Sequence, residues 1–368
     1  AGFPSYAKLT DKADTILMNC AECEPLLKLH RQLLEKHAYE IMKTFHTVME
    51  TVGASQAIIG IKRSYVQTIK ALQQHIEEFP GLKLHLLDEV YPMGDEVVLI
   101  YEATGRVCRP GGLPIEQGVI VFNVETIYNN VYQAMESQKP VTEKYVSVVA
   151  EVEHPVTVKV PLGCTLDEVV AQAGNITTKD PVYFVGGPMM GRIGSGADPV
   201  TKTTNAVLVL PRDHQIVMKK QRTSAIDLKR AASICCQCNT CTDLCPRHNL
   251  GHPIDPARFM RAASAGDFRD VNPYIDSAFC SSCGVCEMYA CPQSLAPRTL
   301  LADMKGGLRK AGIRPPQGVQ PVPVQPSREY RKVPEERLMA RLGLTKYDKD
   351  APMDENVVPV SKVKILLS

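Results

Sequence analysis

The chain has 368 residues, with 42 lysines and arginines against 40 aspartates and glutamates and a formal net charge of +2. That length supplies roughly two to four domains, and the dispersed, nearly balanced charge leaves no basic footprint for nucleic acid. No apolar run approaches the ~18 residues of a membrane-spanning helix, and Ala1-Gly2-Phe3-Pro4-Ser5-Tyr6 has neither the basic nor the apolar region of a signal peptide. The 13 cysteines are an odd number. Cys20, Cys23, Cys108, Cys164 and Cys236 show no framework-like spacing, so the chain reads as reduced and intracellular.

Residues 1–143 alternate strand and helix. Thr15-Ile16-Leu17-Met18 is a short apolar strand, and 26–52 reads as one long helix with Leu26, Leu29, Leu33, His37, Ile41, Phe45 and Val48 on one face. Ala57-Ile58-Ile59-Gly60-Ile61 is apolar throughout, as in a strand covered on both faces of a parallel sheet. Val66, Ile69, Leu72, Ile76 and Phe79 mark a second helix. Strands at 82–87 and 119–122 follow, then a closing helix at 124–138. This alternation predicts an α/β domain, Rossmann-like, whose ligand lies beyond the carboxyl ends of the strands. The non-periodic residues fall there: Asn19-Cys20-Ala21-Glu22-Cys23-Glu24-Pro25, Tyr91-Pro92-Met93-Gly94-Asp95-Glu96 and Asn123-Val124-Glu125-Thr126. One Asn or Asp after a strand is an ordinary helix cap. Three such motifs at successive strand ends point instead to amides and carboxylates facing a flavin heterocycle and its ribityl hydroxyls. Cys20-x-x-Cys23 also allows a redox dithiol, although it lacks the aromatic or Gly-Pro insert of that motif.

Residues 144–222 change character. Val156–Val160 alternates as a half-buried strand, 166–173 is a short helix, and two more strands flank Gly186-Gly187-Pro188-Met189-Met190-Gly191. Two hairpins round one helix predict a β-grasp, and the glycines serve either a ligand or simply a turn.

Residues 223–314 are read as a helical two-cluster ferredoxin-like domain. Cys235-x-x-Cys238-x-x-Cys241-x-x-x-Cys245-Pro246 and Cys280-x-x-Cys283-x-x-Cys286-x-x-x-x-Cys291-Pro292 have the spacing in which three thiolates wrap one cube and the fourth serves the other. That assigns one [4Fe–4S] cluster to Cys235, Cys238, Cys241 and Cys291, and the other to Cys280, Cys283, Cys286 and Cys245. Cys236 competes with Cys235 for one position. Two structural zincs are the alternative, but zinc has no use for a third cysteine followed by Cys-Pro. Lys219, Lys220, Arg222, Lys229 and Arg230 read as a solvated face, or else as an offset to cluster charge. His248 and His252 are separated by loop residues and are poor metal ligands. Residues 315–334 are a Pro-rich, semi-rigid linker. A short helix at 335–342 and a strand-like run at 357–367 complete a 335–368 segment.

Asn19-x-Ala21-Glu22-Cys23-Glu24-Pro25, Tyr91-Pro92-x-Gly94-x-Glu96, Gly111-Gly112-Leu113-Pro114 and Asn123-Val124 resemble the family that links the C component of the Rnf electron-transport complex to the flavin-carrying component of respiratory complex I. Within it, the likeness is closest to the cobalamin (corrinoid) reductase branch of propanediol-utilising microcompartments. The resemblance implies FMN, NADH as donor, and Asn19, Glu22, Glu24, Gly94, Glu96 and Asn123 lining the flavin. It makes Gly2 and Lys8 remnants of a Gly-rich phosphate loop that begins upstream, so residues 1–368 alone are expected to hold FMN weakly or not at all. The middle domain resembles the soluble-ligand-binding β-grasp. The 357–367 run resembles the unpaired opening strand of a truncated barrel-sandwich domain. The function implied is NADH-dependent reduction of cobalamin through FMN and two clusters, in the cytoplasm within a microcompartment. Its partners would be a corrinoid-handling enzyme and shell or lumen proteins. A component of a membrane ferredoxin:NAD oxidoreductase and a non-catalytic ferredoxin-like carrier are the competing readings.

Overall fold

A computed structural model of the chain describes residues 5–10 and 12–359. Gly2 and the run from Val360 onward lie outside the described residues. The first strands are β1 (Thr15–Cys20), β2 (Gln56–Lys62), β3 (Leu82–Leu87), the two-residue β4 (Val90–Tyr91) and β5 (Val119–Asn123). The order β3-β2-β1-β5 is parallel throughout, as the apolar run at 57–61 predicts. Alternate residues of β1 face opposite layers. Ile16 and Met18 pack with Ile41, Phe45 and Val48, and Leu17 packs with Val97, Leu99 and Ile100.

Two helical readings need correction. The predicted helix over 26–52 is two helices, Leu29–Lys36 and Ala38–Val52. They break at His37 (φ −130°), whose ring stacks on Tyr128 at 4.4 Å and bonds the Glu355 carboxylate at 2.6 Å. Those contacts outweigh one turn of helix. The helix Glu96–Thr104 has no counterpart in the sequence reading, because Val97-Val98-Leu99-Ile100 is a continuous apolar run without a 3.6-residue period. Asp95 caps it by accepting from Val97 N (3.0 Å) and Val98 N (3.3 Å). The closing helix after β5 is a π-turn, Thr126–Tyr132, continued by an α-helix, Gln133–Ser137.

Next come β6 (Glu143–Ala150), β7 (Val156–Pro161), β8 (Pro181–Val185), β9 (Arg192–Gly194) and β10 (Ala206–Pro211). The β6–β7 and β8–β9 hairpins flank β10, which runs parallel to β6, and the helix Leu166–Val170 covers one face. This is the β-grasp arrangement. β11 (Val333–Pro334) pairs with β4, and β12 (Met353–Val357) adds to the edge of the six-stranded sheet beside β7. Of the expected run at 357–367 only 357–359 are described: Val357 ends β12 opposite Lys159, and Val358 N donates to Lys159 O at 2.9 Å, while the rest of the run lies outside the described residues.

Helices Ser224–Ile234, Pro256–Ala265 and Pro297–Lys310 enclose a separate core of Ala231, Phe259, Met260, Tyr274 and Leu301. The Pro-rich segment does not act as a spacer. Val322 N donates to Gly251 O and Gln325 N to Asn249 O, both at 2.9 Å. Arg328 pairs with Glu102, and Lys332 reaches Asp88 at 2.9 Å. Two amides between the prolines and two side-chain ion pairs thus strap the cysteine-bearing unit to the flavin-type domain.

Candidate functional site

A cavity of about 400 Å³ opens at the carboxyl ends of β1 and β5, lined by Lys8, Asn19, Gly94, Glu96, Phe122 and Asn123 among others. A second, of about 330 Å³, is lined by Asn19, Glu22, Glu24, Gly94, Asn123 and Glu125, with Ser147, Met190 and Asn205 from the β-grasp unit. Both lie in the range of small-molecule sites. Asn19, Gly94 and Asn123 belong to both walls, so the three strand-end motifs converge as their spacing suggests.

The local bonds explain the sequence pattern. Asn19 Nδ2 donates to Gly94 O (2.9 Å) while its Oδ1 accepts from Ala21 N (3.1 Å), pinning the first motif to the second. A Cβ on Gly94 would lie 3.0 Å from Cys23 Sγ. Glu22 accepts from His30 N (2.8 Å) and lies 3.3 Å from Arg31 Nε, fixing the start of the next helix. Lys8 Nζ donates to Val121 O at 2.6 Å and lies 3.8 Å from Glu96. Burial raises the pKa of Glu96 against the opposing pull of Lys8. Glu24 accepts from the amides of Met189 (2.9 Å) and Met190 (3.0 Å), and burial outweighs those bonds to push its carboxyl up to about 7. Burial also drives the Cys20 thiol up and Cys23 up to about 12. Raised thiols are the opposite of what a redox dithiol needs; Cys20 is buried, and Cys23 lines the second cavity beside Glu24.

The cysteines of the two runs fall into two groups: Cys235, Cys238, Cys241 and Cys291, with Cys236 beside them, line one small cavity, and Cys245, Cys280, Cys283 and Cys286 line another. Cys241 shares its cavity wall with Cys291, Cys238 and Cys235. Cys286 shares its own with Cys280, Cys283 and Cys245. Each run therefore lends its last cysteine, the one before proline, to the other group. Left-handed residues at Gln237, Asn239, Ser282 and Gly284 turn the loops inward. Amide donors reach two of the sulfurs: Ser282 N to Cys280 at 3.3 Å and Leu295 N to Cys291 at 3.4 Å. The Thr240 hydroxyl donates to Cys238 Sγ at 3.2 Å and lowers that thiol. Burial pushes Cys241 and Cys283 up to about 12 and also raises Cys245 and Cys286 well above the ordinary thiol value. Thiols crowded and buried in this way deprotonate together only when a multivalent cationic centre takes their charge, which is the donor set an iron–sulfur cube requires. Cys236 is exposed.

The second group adjoins the strand-end motifs. The Tyr91 hydroxyl donates to Cys283 O at 2.6 Å, and Arg247, two residues after Cys245, pairs with Asp95 at 2.9 Å. A Cβ on Gly284 would meet Met189 O at 3.0 Å, and one on Gly187 would overlap the Glu24 carboxylate. The glycine loop thus takes the Glu24 carboxylate on one side and the backbone of the Gly284 turn on the other, a use beyond turning the chain. Lys219 and Lys220 do not form a solvated face: Lys219 donates to Glu287 O at 2.8 Å, and the Lys220 ammonium is buried without a hydrogen bond. His252 bonds Cys108 O (2.9 Å) and His248 bonds Ile254 O (2.9 Å), so they do not share a ligand.

Residues 1–133 match the Nuo51 FMN-binding domain and 234–296 match a 4Fe-4S dicluster domain. The whole chain is 39% identical to cobalamin reductase PduS of Citrobacter freundii, covering 80% of that protein, and the Salmonella typhimurium protein matches equally. The chain belongs to the PduS cobalamin reductase family. It is an oxidoreductase of the FMN and iron–sulfur type. The C component of the Na(+)-translocating ferredoxin:NAD(+) oxidoreductase complex of Acetobacterium woodii is 29% identical over 67% of this chain and 54% of its own length. A chain of an NAD+-reducing [NiFe]-hydrogenase in the H2-reduced state superposes with a TM-score of 0.54 at 21% identity, over 86% of this chain and 60% of that one, a likeness of fold. Among the described residues no helix is long and apolar enough to cross a membrane.

Proposed function

We propose that the chain passes electrons from NADH, through FMN in the paired cavities and two [4Fe–4S] clusters on the two cysteine groups, to cobalamin. FMN bound there would convert one hydride into single electrons, and the clusters would carry those singly. The rest is done by this chain's residues. Asn19, Gly94 and Asn123 offer amide and backbone groups to a heterocycle edge, Glu22, Glu24 and Glu96 border it, and Lys8 stands beside Glu96 in the larger cavity. Cys235, Cys238, Cys241 and Cys291 would hold one cluster, and Cys280, Cys283, Cys286 and Cys245 the other. The observation that carries this reading is the Tyr91–Cys283 bond, which joins a strand-end motif to a cysteine loop. The second group is then the natural receiver of electrons from the flavin, and the first, with exposed Cys238, the point of exit. The name of the relatives, cobalamin reductase, supports the corrinoid as acceptor, and a microcompartment setting is part of the same proposal.

The test is anaerobic purification of the full-length protein, then NADH with cob(III)alamin. About eight irons and eight sulfides per chain, bound FMN and NADH-dependent corrinoid reduction are expected. Reduction only in the presence of co-purified membrane proteins would favour the Rnf-like reading, which the identity to the Acetobacterium woodii relative supports.

A further inference from the structure

The two cysteine groups sit in unlike electrostatic surroundings. The space inside the first is lined by its own cysteines and by neutral residues such as Gln237, Asn239, Met260 and Gln293, with no charged side chain on its wall. Arg247 and Arg298 line that of the second. Lys305, on the helix Pro297–Lys310, donates from Nζ to the carbonyl of Cys280 itself at 2.8 Å, and Arg298 on the same helix donates from Nε to Ser282 O at 3.4 Å. Arg247 is matched by Asp95 at 2.9 Å. Behind Cys286 the buried Glu287 carboxylate accepts from Thr299 N at 2.8 Å and faces the buried Lys220 ammonium, so the cations that hold the 280–283 loop itself are Lys305 and Arg298, both on one helix. Both of its cations are half-buried and grip the backbone of the cysteine loop rather than pointing into water.

Resting on the ligand sets proposed above, we infer that Lys305 and Arg298 set the reduction potential of the cluster held by Cys245, Cys280, Cys283 and Cys286. Reduction adds one electron and hence one negative charge to a cluster. A fixed cation a few ångströms away favours the reduced form, and partial burial keeps water from screening it fully. The chain thereby holds the receiving cluster at a more positive potential than its thiolates alone would give, which draws electrons off the flavin side. Neither residue touches the reacting atoms; both act through the loop as positioning and charge-setting residues.

The experiment is a redox titration of the full-length protein followed by electron paramagnetic resonance, comparing wild type with Lys305→Gln, Lys305→Arg and Arg298→Gln. Signals are assigned with Cys238→Ser and Cys283→Ser proteins. Lys305→Gln keeps a donor for Cys280 O but loses the charge. At a fixed potential it should lower the reduced-to-oxidised ratio of the second cluster about tenfold, equal to ~59 mV for a one-electron couple. The first cluster should not move, and Lys305→Arg should restore the wild-type value. An unchanged second cluster, or an equal shift in both, overturns the inference. If Lys305→Gln fails to assemble the cluster, Arg298→Gln is read by the same criterion. Wild-type protein without two [4Fe–4S] signals would instead overturn the ligand sets, a result visible before any substitution is made.

Discussion

Lys144→Met tests how the flavin-type domain is joined to the β-grasp unit. Lys144 on β6 places Nζ 2.7 Å from both carboxylate oxygens of Glu125, two residues beyond β5, and the side chains are 3% and 9% exposed. Little water reaches the pair, so removing the ammonium strands a carboxylate that can hydrate only from the side of the second cavity. Breaking such a buried pair typically costs about 3–5 kcal/mol, whereas replacing both partners by apolar groups of similar volume is close to neutral. Lys144→Met should therefore lose about 4 kcal/mol, and Glu125→Leu with Lys144→Met should recover most of it. The assay is urea unfolding followed by circular dichroism, with hydrogen exchange at β5 and β6 to localise the change, because a multidomain chain need not unfold in two states. Because Glu125 also lines the second cavity, FMN affinity should fall in the single variant more than in the double. A loss below about 1 kcal/mol, or a double variant no more stable than the single, would refute the reasoning.

Gly251→Ala should free the strap: φ is +85° and the new Cβ would overlap the Val322 carbonyl. The left-handed backbone costs about 1–2 kcal/mol and the lost Val322–Gly251 bond about 1 more, so limited proteolysis within 315–334 should quicken, and unchanged cleavage would count against the strap. His252 is pushed down to about 4, first by burial and then by Arg247. Between that value and ~6.5 the unfolded chain binds the extra proton, so stability must rise with pH across this window and fall as pH drops through it, by at most ~3 kcal/mol. His252→Gln should flatten that slope of the urea midpoint between about pH 4 and 7. Tyr91→Phe removes the donor to Cys283 O and should cost about 1–2 kcal/mol. Iron content should stay unchanged while stopped-flow cluster bleaching by NADH slows; an unaltered rate would weaken the assignment of the second cluster as receiver.

Sequence discloses whatever local chemistry decides. The parallel sheet is legible because residues 57–61 are apolar without alternation, a pattern that two-sided cover explains. The cysteine grouping is legible because three thiols at every third residue and a fourth before proline leave little freedom, and the fold brings those same residues together. The break at His37 is hidden because Tyr128 and Glu355, which hold it, are remote in sequence. The helix Glu96–Thr104 is hidden because its apolar run has no polar side, although Asp95 as cap and Gly105 in the left-handed region are signals to find. The strap escapes for a different reason. Proline content describes how stiff a segment is, but not whether its remaining amides meet acceptors such as Gly251 O and Asn249 O.

The tertiary contacts share a direction. Electron transfer between cofactors weakens steeply with separation, so a chain that carries electrons must fix distances between units that each fold round their own core. Here the fixing groups are mostly backbone atoms: Met189 and Met190 amides on Glu24, Cys283 O under Tyr91, Gly284 against Met189 O. Backbone partners lack rotamers, so they hold a junction more tightly than side-chain pairs on a surface. Glycine makes the close approach possible, and a methyl group at Gly187 or Gly284 would wedge it open. The glycine loop of the β-grasp unit is thus as much a part of the electron path's geometry as the thiols, even if no ligand ever binds there.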